Sequence, residues 1–151
     1  LPLRCGGQVE IVIKAGEVVP EGHVDLNAPD VFAFYNAQSA DVLSLSMRCA
    51  AAPFDLDGRT YATLEDFWRG MDGEPSERRR ERLALAIAAQ YSSDAAGSSG
   101  LRMHLLETAP KTIICVDIDP WLGMQAAGGL SVGQNGMGRA LMATRAALME
   151  G

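Results

Sequence analysis

The sequence predicts an α+β protein: a helix-rich single domain with a few short strands. Three observations carry the prediction. Four stretches read as helices, two of them with a clear apolar face. Short β-branched or aromatic runs, bounded by turn residues, read as strands. The 151 residues suffice for one domain with a real core, so the whole of 1–151 is expected to fold as a unit.

Val9, Ile11 and Ile13 alternate with Gln8, Glu10, Val12 and Lys14, which predicts a half-buried strand. Gly16, Pro20 and Gly22 then break the chain, so 1–30 reads as an N-terminal strand and loops. Phe32-Ala33-Phe34-Tyr35 is a second short strand. Residues 42–47, where apolar positions alternate with Ser44 and Ser46, form a weaker third. Asp57-Gly58 marks a turn leading into Thr60-Tyr61-Ala62. Thr63 caps a helix to about Met71, with Asp66 at capping-box spacing, and Gly73 and Pro75 end it.

Ser76 is expected to cap a second helix running to about Tyr91, with Leu83, Ile87 and Tyr91 on its core face. Its charged start, Glu77 to Arg82, reads as a solvated helix end, the alternative being a basic patch facing a phosphate. The small residues of 92–100 read as a flexible loop. A short helix follows over 101–108, stopped by Pro110. Thr112 to Val116 is a buried strand with Asp117 and Asp119 just beyond its end, where α/β folds tend to place ligand chemistry. The last helix spans about 136–149, with Met137, Leu141, Met142, Ala146 and Met149 as its apolar stripe. No internal repeat is evident.

Composition excludes several classes. With 48% apolar and 21% charged residues, the chain is expected to be globular and soluble. No apolar run reaches the eighteen or so residues of a membrane span, and the first residues lack a signal peptide's layout. A net charge of −6 argues against a broad nucleic-acid-binding surface and leaves room for a small basic pocket. Cys5, Cys49 and Cys115 lie far apart, with neither a disulfide framework nor zinc spacing, which points to a reducing cytoplasm. Cys115, in an apolar run, is expected to be buried and inert. Neither His23 nor His104 has a metal-spaced partner, and a Ser-His-Asp or Cys-His catalytic pair would have to use one of them. No metal, cofactor or membrane partner is expected.

The densest chemistry lies in Asp119-Pro120-Trp121-Leu122-Gly123 and, ten residues on, Gly133-Gln134-Asn135-Gly136-Met137-Gly138-Arg139-Ala140-Leu141-Met142. Glycines let backbone approach a phosphate, and a helix start offers free N–H groups and positive dipole. An aromatic face can stack on a base. The same glycine-rich turn also serves as a plain helix cap.

Taken in order, these segments resemble the NADAR family, which has the YbiA-like fold. The matching features are Phe34-Tyr35 after a strand, Leu45-Ser46-Met47, and the turn into a glutamate-bearing helix over Gly58 to Phe67. They continue with the helix Leu101 to Thr108 before a strand, then Asp119, Trp121 and Gly123, and the run from Gly133 to Arg145. The resemblance covers roughly 31–149 and is most specific in its C-terminal block. The chain departs from the family at Leu122-Gly123, where the family has Trp-Gly, and at Leu45-Ser46-Met47-Arg48, where it has Leu-Ser-Asn-Phe. The stretch between the first two helices is shortened and carries no counterpart of the family's lysines.

The resemblance implies cleavage of an N-glycosidic bond, either in ADP-ribosylated guanine or in a ribosylated base such as a riboflavin-pathway intermediate. The partner is then a small molecule or nucleotide containing ribose phosphate, or ADP-ribosylated nucleic acid. Breaking such a bond develops positive charge at the sugar C1′, which a carboxylate can stabilise while an acid protonates the leaving nitrogen. Glu65 and Asp119 are the candidate catalytic residues, expected to face one cleft. Glu65 can equally be a helix-start carboxylate, and Asp119 a turn residue before Pro120. Tyr35, Trp121, Gly123, Gly133, Asn135, Gly138 and Arg139 are the candidate ligand-binding residues; Asn135 can also be a helix N-cap. The alternative function is a non-catalytic module that binds ADP-ribose or a nucleotide.

Overall fold

The computed structural model describes residues 28–93, 96–127 and 130–150, and the strand expected around 9–13 lies outside them. The elements in chain order are β1 (Val31–Tyr35), β2 (Phe54–Leu56), β3 (Arg59–Tyr61), α1 (Leu64–Gly70), α2 (Ser76–Ser92), α3 (Ala96–Glu107), β4 (Thr112–Val116), β5 (Met124–Ala127), β6 (Leu130–Gly133) and α4 (Gly136–Glu150). This is the mixed helix-and-strand composition expected. The chain forms two compact units. One holds residues up to Tyr35 with Pro110–Arg139, the other Asn36–Ala109 with Ala140–Gly151.

The first unit is built on a four-stranded sheet in the order β1-β4-β5-β6. β1 and β4 are parallel, in register from Val31 opposite Thr112 to Tyr35 opposite Val116. A parallel neighbour needs a long connection, and 76 residues separate these strands (36–111). The β-branched run of β4 suits its place between neighbours: Ile113, Ile114 and Cys115 are fully buried. β5 continues from Val116 in parallel and pairs antiparallel with β6. These two strands carried no sequence signal. Met124-Gln125-Ala126-Ala127 has little β-propensity, and its pairing with β4 and β6 sets its conformation.

In the second unit, Asp57 and Gly58 both have positive φ (53° and 79°), as a two-residue hairpin turn requires, and they join β2 to β3. Phe54 stacks on Tyr61, which meets Phe67 of α1 edge-on, so the hairpin is tied to the helix by an aromatic row. Thr63 caps α1 as expected, its Oγ1 accepting from the Asp66 N–H at 3.1 Å. Ser76 does not cap α2. It is the first helical residue, and Pro75 holds the cap position with no side-chain bond, its fixed φ placing the chain for the helix. Leu83, Ile87 and Tyr91 enter the core as predicted, beside Leu64, Leu101 and Leu105. The charged start of α2 is an ion-paired helix end. Arg78 bonds Glu74 at 2.9 Å, Arg82 pairs with Asp57, and Arg79 lies 3.8 Å over the Trp68 ring while donating to the Trp68 carbonyl.

Three expectations are corrected here. Residues 42–47 form no strand. Ser44, Leu45, Ser46 and Met47 are buried consecutively rather than alternately, because the serine hydroxyls bond backbone groups and divert the chain into turns. Residues 96–100 are not a flexible loop but the first turn of α3. Small residues stand there because the helix start packs onto backbone: a Cβ on Gly97 would lie 1.7 Å from the Ala51 carbonyl oxygen. The α4 stripe ends early. Met137 and Leu141 are buried, whereas Ala146 is exposed and Met149 is 62% exposed. At that level the helix turns Arg145 inward instead, to donate to Thr108 Oγ1 at 2.9 Å.

A Gly97→Ala variant is expected to lose about 2 kcal/mol by urea denaturation, overpacking outweighing the helix-propensity gain. An unchanged midpoint would mean that α3 does not start there. Among the described residues no helix is long and apolar enough to cross a membrane.

Candidate functional site

Glu65 belongs to the second unit, on the first turn of α1. Its position follows from a buried polar scaffold. The Asn36 side-chain oxygen accepts from the Met47 N–H at 2.9 Å, and the Ser46 hydroxyl donates to the Asn36 carbonyl at 2.6 Å. That hydroxyl accepts from the Arg48 N–H at 3.0 Å, and the Met47 carbonyl accepts from the Glu65 N–H at 2.9 Å. Turn 44–48 and the start of α1 are therefore one hydrogen-bonded piece. Asn36 and Ser46 are 7% and 2% exposed, so the bonds that Asn36 makes to Ser46 and Met47 are shielded from water, while the Arg48 N–H bond is only partly so.

This scaffold sets the Glu65 carboxylate between two arginines. Oε1 lies 2.6 Å from Arg69 Nη2, one helical turn on, and Oε2 lies 3.6 Å from Arg48 Nε. Arg48 is itself anchored, Nη1 donating to the Ala37 carbonyl at 3.1 Å. The carboxylate side chain is 29% exposed and the arginines 46% and 75%. Ion pairs this open contribute about 0–1 kcal/mol to stability, so the arrangement matters for what it presents rather than for holding the fold. Arg69 was readable as an i,i+4 partner of Glu65. Arg48, Asn36 and Ser46 were missed as site residues, because only folding brings them together.

The remaining candidates lie in the first unit. Tyr35 ends β1 opposite Val116 and is half-buried. Asp119 shapes the turn after β4: its Oδ1 accepts from the Trp121 and Leu122 N–H groups at 2.8 and 2.9 Å. Asp117 Oδ1 in turn accepts from the Asp119 N–H at 2.8 Å. One oxygen of Asp119 thus holds backbone. Asp119→Ala is expected to cost about 1 kcal/mol in a thermal or urea melt, whereas Asp119→Asn, which keeps the acceptor, stays near wild type. Equal losses in the two variants would show that charge, not the turn, is what matters.

The glycine-rich segment departs from the anion cradle the sequence suggested. The N–H groups of Gln134, Asn135, Gly136 and Met137 go to the carbonyls of Pro120, Gly123, Trp121 and Leu122 at 2.9, 3.3, 2.6 and 2.9 Å. Those donors are taken by the 120–123 turn. Asn135, at φ 56°, is 7% exposed, and its amide bridges β4. Oδ1 accepts from the Cys115 N–H, and Nδ2 donates to the Ile113 carbonyl, both at 2.8 Å.

The glycines allow this close approach. A Cβ on Gly138 would meet the Asn135 amide at 2.3 Å, one on Gly136 the Trp121 ring at 2.6 Å, and one on Gly123 the Asp117 Cβ at 2.7 Å. Gly133 has φ 146° and lies against the Gly123 carbonyl. Trp121 is half-buried beside Gly136, and exposed Arg139 donates to the Gln134 carbonyl at 3.0 Å. Burial pushes the Cys115 thiol up, and the nearby Asp117 and Asp119 add to the shift, so it is inert at neutral pH. Among the described residues no cluster of His, Cys, Asp and Glu could hold a metal ion.

Together these features define an α+β protein whose short mixed sheet leads into a main-chain-locked turn and whose first helix carries a carboxylate held by two arginines. Its fold is that of a known structure. The chain is similar to the NMR structure of the E. coli protein YbiA, with a TM-score of 0.54 and 21% identity over 90% of each chain. No protein-family model and no curated protein matches the sequence. The chain thus has the YbiA fold.

Proposed function

We propose that this protein is a NADAR-type N-glycosidase that hydrolyses the bond between a ribose C1′ and a base nitrogen. Its substrate is an ADP-ribosylated guanine or a ribosylated base such as a riboflavin-pathway intermediate. The observation that carries the reading is the Glu65 carboxylate, partly exposed and aimed by a buried scaffold, between Arg48 and Arg69. As the C1′–N bond breaks, its electron pair leaves with the base and positive charge grows on the sugar. A carboxylate beside C1′ stabilises that charge and takes a proton from the attacking water, whose oxygen completes the new C1′–OH. The leaving nitrogen takes its proton from solvent, and the proton that Glu65 took from the attacking water returns to solvent once the products leave.

The YbiA fold and the position of Glu65 just after the β2–β3 hairpin support this assignment. Asp119 enters it as a positioning residue for its own turn. The alternative, a binding module without turnover, is favoured by one observation: the second candidate carboxylate already uses an oxygen on backbone. Incubation with ADP-ribosylated guanosine and with the phosphoribosylamino pyrimidine, read by mass spectrometry, separates the two. Release of free base supports the glycosidase. Intact ligand that nonetheless binds in calorimetry leaves the binding module.

A further inference from the structure

We propose that Arg48 and Arg69 form a phosphate subsite, and that a phosphate bound there draws both guanidinium groups away from Glu65 and frees its carboxylate. The release step rests on the glycosidase reading; the binding step does not.

Two guanidinium groups facing one carboxylate leave a surplus positive charge, and both arginines are open to solvent, at 46% and 75% exposure. The planar fork of arginine suits the bidentate geometry of phosphate oxygens. Arg48 is tethered at one end only: its Nη1 donates to the Ala37 carbonyl, which keeps the side chain near the site, while Nε, facing Glu65 Oε2, is the end that turns to a phosphate. The contact at Glu65 Oε2 is long, 3.6 Å, and is the easier of the two for a dianion to displace. The buried bonds of Asn36 and Ser46 orient groups that an exposed ion pair of negligible stability would not need. In this arrangement Glu65 occupies the arginines until a phosphorylated ribose arrives. The same event that binds the substrate then uncovers the carboxylate.

Calorimetry of the full chain at low ionic strength, with ribose 5-phosphate, pyrophosphate and unphosphorylated ribose as probes, tests the proposal. The phosphorylated probes are expected to bind and ribose is not. Arg48→Gln and Arg69→Gln each weaken binding at least about tenfold, the loss of one charge-assisted bond. Glu65→Gln strengthens it severalfold by removing the competing anion. Opposite signs for the arginine and glutamate variants are the signature, and a purely structural triad would not give them. Arg48→Lys, which keeps the charge, recovers part of the affinity. Equal binding by all variants, or weaker binding in Glu65→Gln, overturns the proposal. Phosphate binding with this signature but without base release upholds the subsite and removes the glycosidase. Base release without phosphate binding does the reverse.

Discussion

Asn135→Ala is expected to destabilise the protein by about 3–7 kcal/mol, enough to unfold a marginal domain. The amide of Asn135 satisfies two backbone groups of β4, the Cys115 N–H and the Ile113 carbonyl, each at 2.8 Å in a buried strand. Alanine leaves both without partners, at about 1–3 kcal/mol each. It must also adopt φ 56°, a left-handed conformation that asparagine tolerates better than alanine, for a further cost of about 1 kcal/mol. Asparagine is the side chain that fits, because the site needs one acceptor and one donor. Asn135→Asp retains the acceptor but sets a second oxygen against the Ile113 carbonyl, so a comparable loss is expected. Urea denaturation of the three proteins decides the matter, and a loss below about 1 kcal/mol in Asn135→Ala would show that water or backbone movement replaces the amide.

Glu65→Gln is expected to lower kcat by about 10²- to 10⁴-fold on any glycosidic substrate the wild type cleaves, with KM falling severalfold as the anion competing for Arg48 and Arg69 is removed. Glutamine preserves the shape of the side chain and an oxygen that can accept from Arg69, but it carries no charge to offset a cationic sugar and takes no proton from water. The fold is expected to be indifferent, since the carboxylate is partly exposed and its ion pairs are open to solvent. A melting temperature equal to wild type together with a fallen kcat assigns the effect to chemistry. Undiminished turnover would remove Glu65 from the mechanism.

Much of the fold was legible in the sequence where local chemistry and tertiary context agree. The Thr63 cap, the Asp57-Gly58 turn, the apolar face of α2 and the β-branched run of β4 each state their structure within a few residues. The failures share a cause. Small and polar residues at 42–47 and 96–100 read as strand or loop because their role is close approach to other backbone, which has no periodicity. β5 was invisible because its strand character comes from pairing rather than from side chains. For the candidate site, the position of Glu65 could be read, but not Arg48 beside it, since that neighbour is delivered by a turn seventeen positions away. The glycines near α4 were recognised as unusual, yet the same letters serve ligand approach and tight packing alike, and the packing against residues 120–123 shows itself only in the fold.

The lock between those four carbonyls and the N–H groups of 134–137 has an evolutionary corollary. Its information resides in peptide groups, which every amino acid but proline supplies in full, so substitutions can accumulate along both stretches without unzipping them, provided the close-packed glycines stay. An architecture written partly in this alphabet-blind form can outlast the spelling that once encoded it.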